Sequence, residues 1–432
     1  MFMNIIESKL QQTHNFSSAK EPEFLARRIN RFYRDRVKDA WGGRSLLHSL
    51  QPGADAIQLM SNDYLSLSNH PNILRAQRDA LLSEKASMLM SSVFLHGDSP
   101  QHRFERRLAN FMGAEQGILC QSGWCANTGL IQSIADEQTP VYIDMLAHMS
   151  LWEGARSAGA TAVMFYHNDP EHLERQILKY GPGVVVVDSV YSTNGSVCPL
   201  QDVVDVGTSQ GCVIVVDESH SIGTHGSHGE GMVASLGLGD RVHFRTASLA
   251  KAFAGRAGFI TCSDRFASYF AFESNPAIFS STLLPYEVAG LDAALDIIQA
   301  ERWRREKLHA NAEYLRPRLD ELGYNLNNSK SQIISLESGT EQQTIQLKEA
   351  LEARGVFGLI FCAPATPKNR AIIRFSICAG LSESDLDRVV QVCSDIRQEV
   401  DLANWPSSRR KRNAGVATIT HRNIEQNETA FA

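Results

Sequence analysis

The sequence predicts an α/β protein in which a mainly parallel sheet, covered by helices on both faces, is followed by a smaller α+β domain. Two features carry that expectation. Between about residues 61 and 290, short aliphatic runs alternate with amphipathic stretches, the strand–helix–strand rhythm of a parallel sheet. From about residue 291 the pattern changes to long, charged and helical. With 432 residues, 43% hydrophobic and 21% charged, the chain can bury a core large enough for both domains.

Residues 1–60 read as a helical arm, with Phe24, Leu25, Ala26 and Ile29 at helical spacing. Strands are expected at 117–120, 141–144, 162–166, 184–190, 212–217, 242–247 and 257–262, and amphipathic helices at 101–112, 126–136 and 171–180. In such sheets ligands bind beyond the carboxyl ends of the strands, so residues just after the strands are where chemistry is expected. The large domain spans 61–290. The small domain spans 291–405 and opens with a long charged helix over 291–322. After Pro406 the chain turns polar, and 406–432 read as a disordered tail whose RRKR run is solvated charge.

Composition excludes several classes. A net charge of −6 gives no basic face for nucleic acid. The eight cysteines are scattered without a CxxC pair and read as buried thiols of a reducing compartment. Glu7 and Lys9 interrupt the stretch a signal peptide needs, and the longest aliphatic run, Val184 to Val187, is far too short for a bilayer. A soluble, cytoplasmic protein is expected, without membrane or nucleic-acid partners. His220, His225 and His228 lie in a glycine-rich run lacking a cysteine or carboxylate cluster of recognised spacing, so no metal is expected.

Four segments carry chemistry. Val213 to Val216 form a buried strand ending in Asp217, which can pair with a cationic ring nitrogen, and His220 three residues on can donate to a ring hydroxyl. Alone, Asp217 also reads as a cap on the next turn. Lys251 follows the strand 242–247 in an apolar setting, where a poorly hydrated amine is free to form an imine, and Ser248 one turn earlier can hold a phosphate oxygen. Gln121-Ser122-Gly123-Trp124 is a small-residue turn into a helix, and backbone N–H groups at a helix start bind phosphate. His148 follows the strand 141–144, where its imidazole can stack on a flat group. Each signal is modest alone. Together, all just after strands, they describe one site for a flat, phosphorylated, aldehyde-bearing cofactor.

With those residues in place, the chain resembles the α-oxoamine synthases, pyridoxal-phosphate (PLP) enzymes of fold type I, from Ser61-Asn62-Asp63-Tyr64-Leu65 to about Ile396. The resemblance implies that Gly123 and Trp124 give backbone amides to the phosphate, that His148 stacks on the ring and that Ser192 lies near the ring oxygen. It implies that Asp217 pairs with the pyridine nitrogen, His220 with the phenolic oxygen, Ser248 with phosphate, and that Lys251 forms the imine. Ser281 matches a residue that reaches the phosphate of the partner subunit, implying a homodimer with shared sites. Asn62 and Arg374 match the pair that grips the substrate carboxylate. Longer stretches, 147–156, 216–226, 276–287 and 355–369, resemble the branch that makes α-hydroxyketone autoinducers for bacterial quorum sensing. That branch condenses a medium-chain acyl-CoA with S-adenosylmethionine or 2-aminobutyrate.

The chain departs from the glycine-using members at two places. Val93 stands where several have arginine, and Cys362-Ala363-Pro364-Ala365-Thr366 replaces an Arg-Pro-Pro-Thr run. Lost positive charge at both argues for a plain alkyl acyl group. Another synthase of the family, of the 8-amino-7-oxononanoate synthase or 2-amino-3-ketobutyrate ligase type, is the nearest alternative, and a fold-type-I aminotransferase a more distant one.

Overall fold

The computed structural model describes residues 21–47, 50–83 and 89–411. Its centre is a seven-stranded sheet made of β2 (Gln116–Cys120), β3 (Pro140–Asp144), β4 (Thr161–Phe165), β5 (Val184–Asp188), β6 (Val213–Asp217), β7 (Phe244–Ser248) and β8 (Gly258–Cys262), in the order β2-β8-β7-β6-β5-β3-β4. Only β8 runs against its neighbours, so the carboxyl ends of the other six strands share one edge. All seven expected strands are present within two residues at each end. β5 and β6 show why they were legible: Val184 to Val187 and Ile214 to Val216 are buried on both faces, as a helix-covered parallel sheet requires.

A three-stranded antiparallel sheet, β11 (Leu359–Phe361), β12 (Ala371–Ser376) and β9 (Ile333–Gly339), forms the core of the C-terminal part. A short parallel pair, β1 (Ile57–Gln58) with β10 (Val356–Phe357), ties the N-terminal segment to it. The largest apolar cluster runs without a break from Leu59 and Tyr64 through Leu249 and Phe259 to Phe375 and Trp405, joining both parts.

Three expectations need correction. The arm is helical only to Ala40, as an α-helix over Glu23–Arg31 that continues as a π-helix over Phe32–Ala40. Beyond it Trp41 and Leu46 turn inward and pack with Ile345, which ends the helix. Residues 1–20 lie outside the described residues. The long helix is two, Pro285–Ala300 and Trp303–Glu321, broken where the Glu301 carboxylate accepts from Arg304 Nε at 2.6 Å and faces His70. The start of the tail is ordered. Residues 406–411 form a helical turn, with Ser407 and Ser408 buried, Arg410 paired with Glu337 and Lys411 Nζ 2.8 Å from Asp320. Two cations of the RRKR run thus serve packing, and 412–432 lie outside the described residues. Among the described residues no helix is long and apolar enough to cross a membrane.

Candidate active site

The sheet edge gathers the expected groups. Asp217 ends β6 and is buried. Its Oδ1 accepts from Ser219 N at 2.8 Å and its Oδ2 from Asn127 Nδ2 at 2.7 Å, leaving lone pairs for a cationic ring nitrogen. Asn127 comes from the helix Gly123–Ile134 and also donates to Ser150 Oγ at 2.8 Å, which lies 2.7 Å from His148 Nδ1. Asp217, Asn127, Ser150 and His148 therefore form one hydrogen-bonded line along the floor. The ring of Trp124 meets His148 edge-on at 6.2 Å, which frames the stacking position.

The phosphate end is defined by a close approach. A Cβ on Gly123 would lie 2.6 Å from Ser248 Cβ, and one on Gly258 2.1 Å from Ser122 O. Only glycine at 123 lets the start of this helix come so close to Ser248 at the end of β7. Ser219 Oγ accepts from Ser248 N at 2.7 Å and locks the two strand ends together.

Lys251 follows β7 and is half-buried. Removal from water lowers its pKa, Arg374 adds to that, and Asp217 and Asp188 oppose it. His220 Nδ1 is 2.7 Å from the hydroxyl of buried Tyr64, and its carbonyl accepts from Gln332 Nε2 at 2.7 Å. Burial, with Lys251 and Arg374 nearby, holds His220 well below the ordinary imidazole range. Burial likewise lowers His148, assisted by Lys251 and opposed by Asp217. Both imidazoles are neutral donors or acceptors rather than cations.

The rim comes from the C-terminal part. Arg374, buried in β12, donates through Nη1 to Ser192 O at 2.8 Å and through Nη2 to Asn62 Oδ1 at 2.7 Å, with its Cζ 4.9 Å from the Phe361 ring centre. Its Nε is buried without a partner. Ser192 thus meets the site through its carbonyl. Ser281 is exposed; its neighbour Ser280 offers a carbonyl 3.5 Å from Gln121 Nε2, close to the phosphate turn of the same chain.

The expected loss of charge at Cys362-Ala363 is corrected in part. Arg36, from the arm, places Nη2 3.9 Å from Cys362 Sγ and 3.4 Å from Ala363 O. That charge is matched: Glu341 accepts from the same nitrogen at 3.0 Å and also from Trp41 Nε1. The wall is therefore neutral by pairing. Val93 sits in a single turn over Ser92–Phe94 and packs on the apolar cluster holding Ala126, Leu130 and Ala277.

Sequence reasoning missed Asp188, Asn127, Ser150, Tyr64 and Arg36. Asp188 is cross-strand neighbour to Asp217, is buried, and has its carboxyl pushed well up by burial and by Asp217; it accepts from His148 N at 3.3 Å. Its signal was available, since Val184 to Asp188 repeats the pattern of Val213 to Asp217. The others act only through tertiary contacts.

The residues fit PLP. A glycine-and-serine cradle at a helix start suits its phosphate, a buried carboxylate its pyridine nitrogen, and a lysine of lowered pKa its aldehyde. Comparison with known proteins agrees. Residues 54–392 match the family model of class I and II aminotransferases. The chain is 44% identical over 381 residues to the CAI-1 autoinducer synthase of Vibrio campbellii, covering 88% of this chain and 97% of that one. It is 30% identical over 394 residues to 8-amino-7-oxononanoate synthase 1 of Bacillus velezensis, covering 89% of this chain and all of the other. A solved structure of SPT with PLP superposes with a TM-score of 0.77 at 25% identity, covering 82% of this chain and 92% of that one. The chain belongs to the class I and II aminotransferase family and, within it, is a PLP-dependent α-oxoamine synthase of fold type I.

Proposed function

We propose that this chain condenses S-adenosylmethionine or 2-aminobutyrate with a medium-chain acyl-CoA, losing CoA and CO2, to give the α-aminoketone precursor of a quorum-sensing autoinducer. The observations that carry the acyl half are made at two places: Val93 packs on an apolar cluster, and Arg36, beside Cys362-Ala363, is matched by Glu341. A carboxylate-ended acyl group would meet an apolar side chain at Val93 and, at Cys362-Ala363, an arginine already paired with a carboxylate. An apolar groove of about 490 Å³, lined by Met90, Phe94, Leu95, Leu283, Pro285 and Val288, borders the same segment and suits an alkyl chain. The likeness to the Vibrio synthase supports the pairing of substrates.

Bound PLP supplies the electron sink for the carbanion at the substrate α-carbon. Gly123 and Trp124 N–H groups and Ser248 Oγ would hold its phosphate, Asp217 would keep its pyridine nitrogen protonated, His220 would serve its phenolic oxygen, and Lys251 would hold its aldehyde. Arg374 and Asn62 grip the amino-acid carboxylate, for which the buried guanidinium offers its unused N–H groups. Lys251 Nζ, whose pKa burial lowers, would take the α-proton as the free amine. His148 would lie against the cofactor ring and donate a hydrogen bond to the thioester oxygen as charge builds there. The active unit is a homodimer in which Ser281 serves the neighbouring site.

Mass spectrometry of products from S-adenosylmethionine, 2-aminobutyrate, glycine and alanine, each with acyl-CoAs from four to twelve carbons plus succinyl- and pimeloyl-CoA, tests this. The expected result is an aminoketone from a straight-chain thioester, with kcat/KM rising with length and then falling. Preference for succinyl- or pimeloyl-CoA, or for glycine, assigns the chain to another synthase of the family.

A further inference from the structure

The line from Asp217 to His148 has a direction, and that direction decides which face of the imidazole is acidic. The backbone N–H of Ser150 points at His148 Nδ1 at 3.3 Å. A backbone nitrogen can only donate, so Nδ1 carries a lone pair and the hydrogen of the neutral ring sits on Nε2. The Ser150 hydroxyl, 2.7 Å from the same Nδ1, must then donate to it as well. Having spent its one hydrogen, Ser150 Oγ must accept from elsewhere, and Asn127 Nδ2 supplies that bond at 2.8 Å. The second hydrogen of the Asn127 amide goes to Asp217 Oδ2 at 2.7 Å.

The amide cannot be turned over. Its oxygen would then face the Asp217 carboxylate, acceptor against acceptor, and the whole line would lose its donor. The structure leaves Asn127 Oδ1 buried and without a partner, a cost accepted for keeping both hydrogens on the line. Ser150 and Asn127 are themselves buried, so no solvent is at hand to reverse the bonds. Burial also keeps the ring neutral, as its lowered pKa states, so the tautomer matters.

We infer that Ser150, through its backbone N–H and its hydroxyl, and Asn127, which directs that hydroxyl, are positioning residues that hold His148 in its Nε2–H tautomer and so present a hydrogen-bond donor to the carbonyl oxygen of the acyl thioester. Neither touches the acyl substrate. The same buried carboxylate that faces the cofactor nitrogen through one side orients the donor for the second substrate through the other. This rests on the reading that His148 serves the acyl half of the reaction, while Lys251 serves the α-proton.

The test separates the two halves. Holoenzyme is assayed for condensation with saturating octanoyl-CoA, and, without thioester, for exchange of the amino-acid α-hydrogen in deuterium oxide; PLP affinity and absorbance are recorded alongside. Ser150→Ala keeps the backbone N–H but loses the shorter hydroxyl bond to Nδ1, and is expected to lower condensation kcat about fivefold, the effect of one neutral hydrogen bond, with exchange, PLP affinity and spectrum unchanged. Ser150→Thr, which keeps the hydroxyl, is expected to restore condensation. Normal condensation in Ser150→Ala, or an equal fall in exchange, overturns the inference. Should Ser150→Ala not fold, Asn127→Ser breaks the same line, and condensation must fall further than exchange. His148→Asn is the control for the underlying reading. If it leaves condensation intact, the donor role of His148 itself is wrong; if it slows condensation while Ser150→Ala does not, only the relay is wrong.

Discussion

The floor and the rim of the site are built in different ways. The floor is assembled from short segments at one sheet edge: Ser122 to Asn127, His148 to Ser150, Asp217 to His220, and Ser248 to Lys251. Each follows a strand directly, and their partners are fixed by strand order. The rim is assembled across the chain. Arg374 reaches Ser192 and Asn62, 182 and 312 positions away, and Arg36 reaches Glu341 over 305. On the proposed reading the floor holds the cofactor and the rim selects what is joined. Loss of the floor groups that hold the cofactor should therefore impair both substrates, and damage to the rim should discriminate between them.

The largest expected effect is at the floor. Lys251→Ala removes the group proposed to bind the cofactor aldehyde and to move the α-proton, and turnover should fall about a thousandfold or more, the scale of losing a general base and a covalent anchor. Asp217→Asn keeps the shape but not the charge, and should lower kcat roughly tenfold to a hundredfold, since a charged hydrogen bond is worth about 1.5–3 kcal/mol. In both variants steady-state kinetics should show no selectivity between amino acid and thioester. A selective effect would break the division between floor and rim.

Arg374→Lys sharpens it from the other side. The charge stays but the fork is lost, so the amino-acid KM should rise about tenfold while the acyl-CoA KM stays put. The pH profile adds a second readout. As the proposed base Lys251 must act as the free amine, so the rate should rise with pH through its lowered pKa. Arg374 is one cause of that lowering. Arg374→Gln removes a nearby cation and should move this limb to higher pH, whereas Arg374→Lys should leave it in place. An unmoved limb in Arg374→Gln would separate the guanidinium from Lys251.

A smaller effect concerns the wall. Glu341→Gln should free the charge of Arg36 and raise kcat/KM for a carboxylate-ended acyl-CoA by a few-fold, roughly one surface ion pair's worth, against octanoyl-CoA. No change in that ratio would place Arg36 away from the acyl path.

These contrasts also explain what the sequence disclosed. Asp217, Lys251 and Gly123 were legible because strand ends and helix starts have local signatures. Arg374 was visible only through family resemblance, because nothing local distinguishes a buried arginine in Ile373-Arg374-Phe375 from a surface one. Arg36 escaped altogether: its helix looks like a solvated arm until Trp41 and Leu46 anchor it. Asn127 and Ser150 escaped for another reason, since small polar residues near helix starts are ordinary, and only the direction of their hydrogen bonds sets them apart. The break at Glu301 is likewise invisible locally, because Ala300 to Trp303 contains no proline or glycine.

The acid limit of stability should report the floor as well. Burial lowers His148 and His220, and lowers His225, beside His309, to about 3. The native state leaves these rings neutral where the unfolded chain protonates them, so their contribution is full above about pH 6.5 and is lost as pH falls toward the native values. Between pH 7 and 5 the urea midpoint should drop, with His225 alone accounting for on the order of 2 kcal/mol. His225→Phe should flatten that slope; an unchanged slope would remove His225 as its source.

The central claim is that Lys251, at the end of β7, is the residue joined to the cofactor on this floor. Borohydride reduction of the holoenzyme followed by peptide mapping tests it most directly. A single pyridoxyl-modified peptide carrying Lys251, absent from Lys251→Ala, is the expected result. A modified peptide carrying any other lysine, or one that persists in Lys251→Ala, would contradict it.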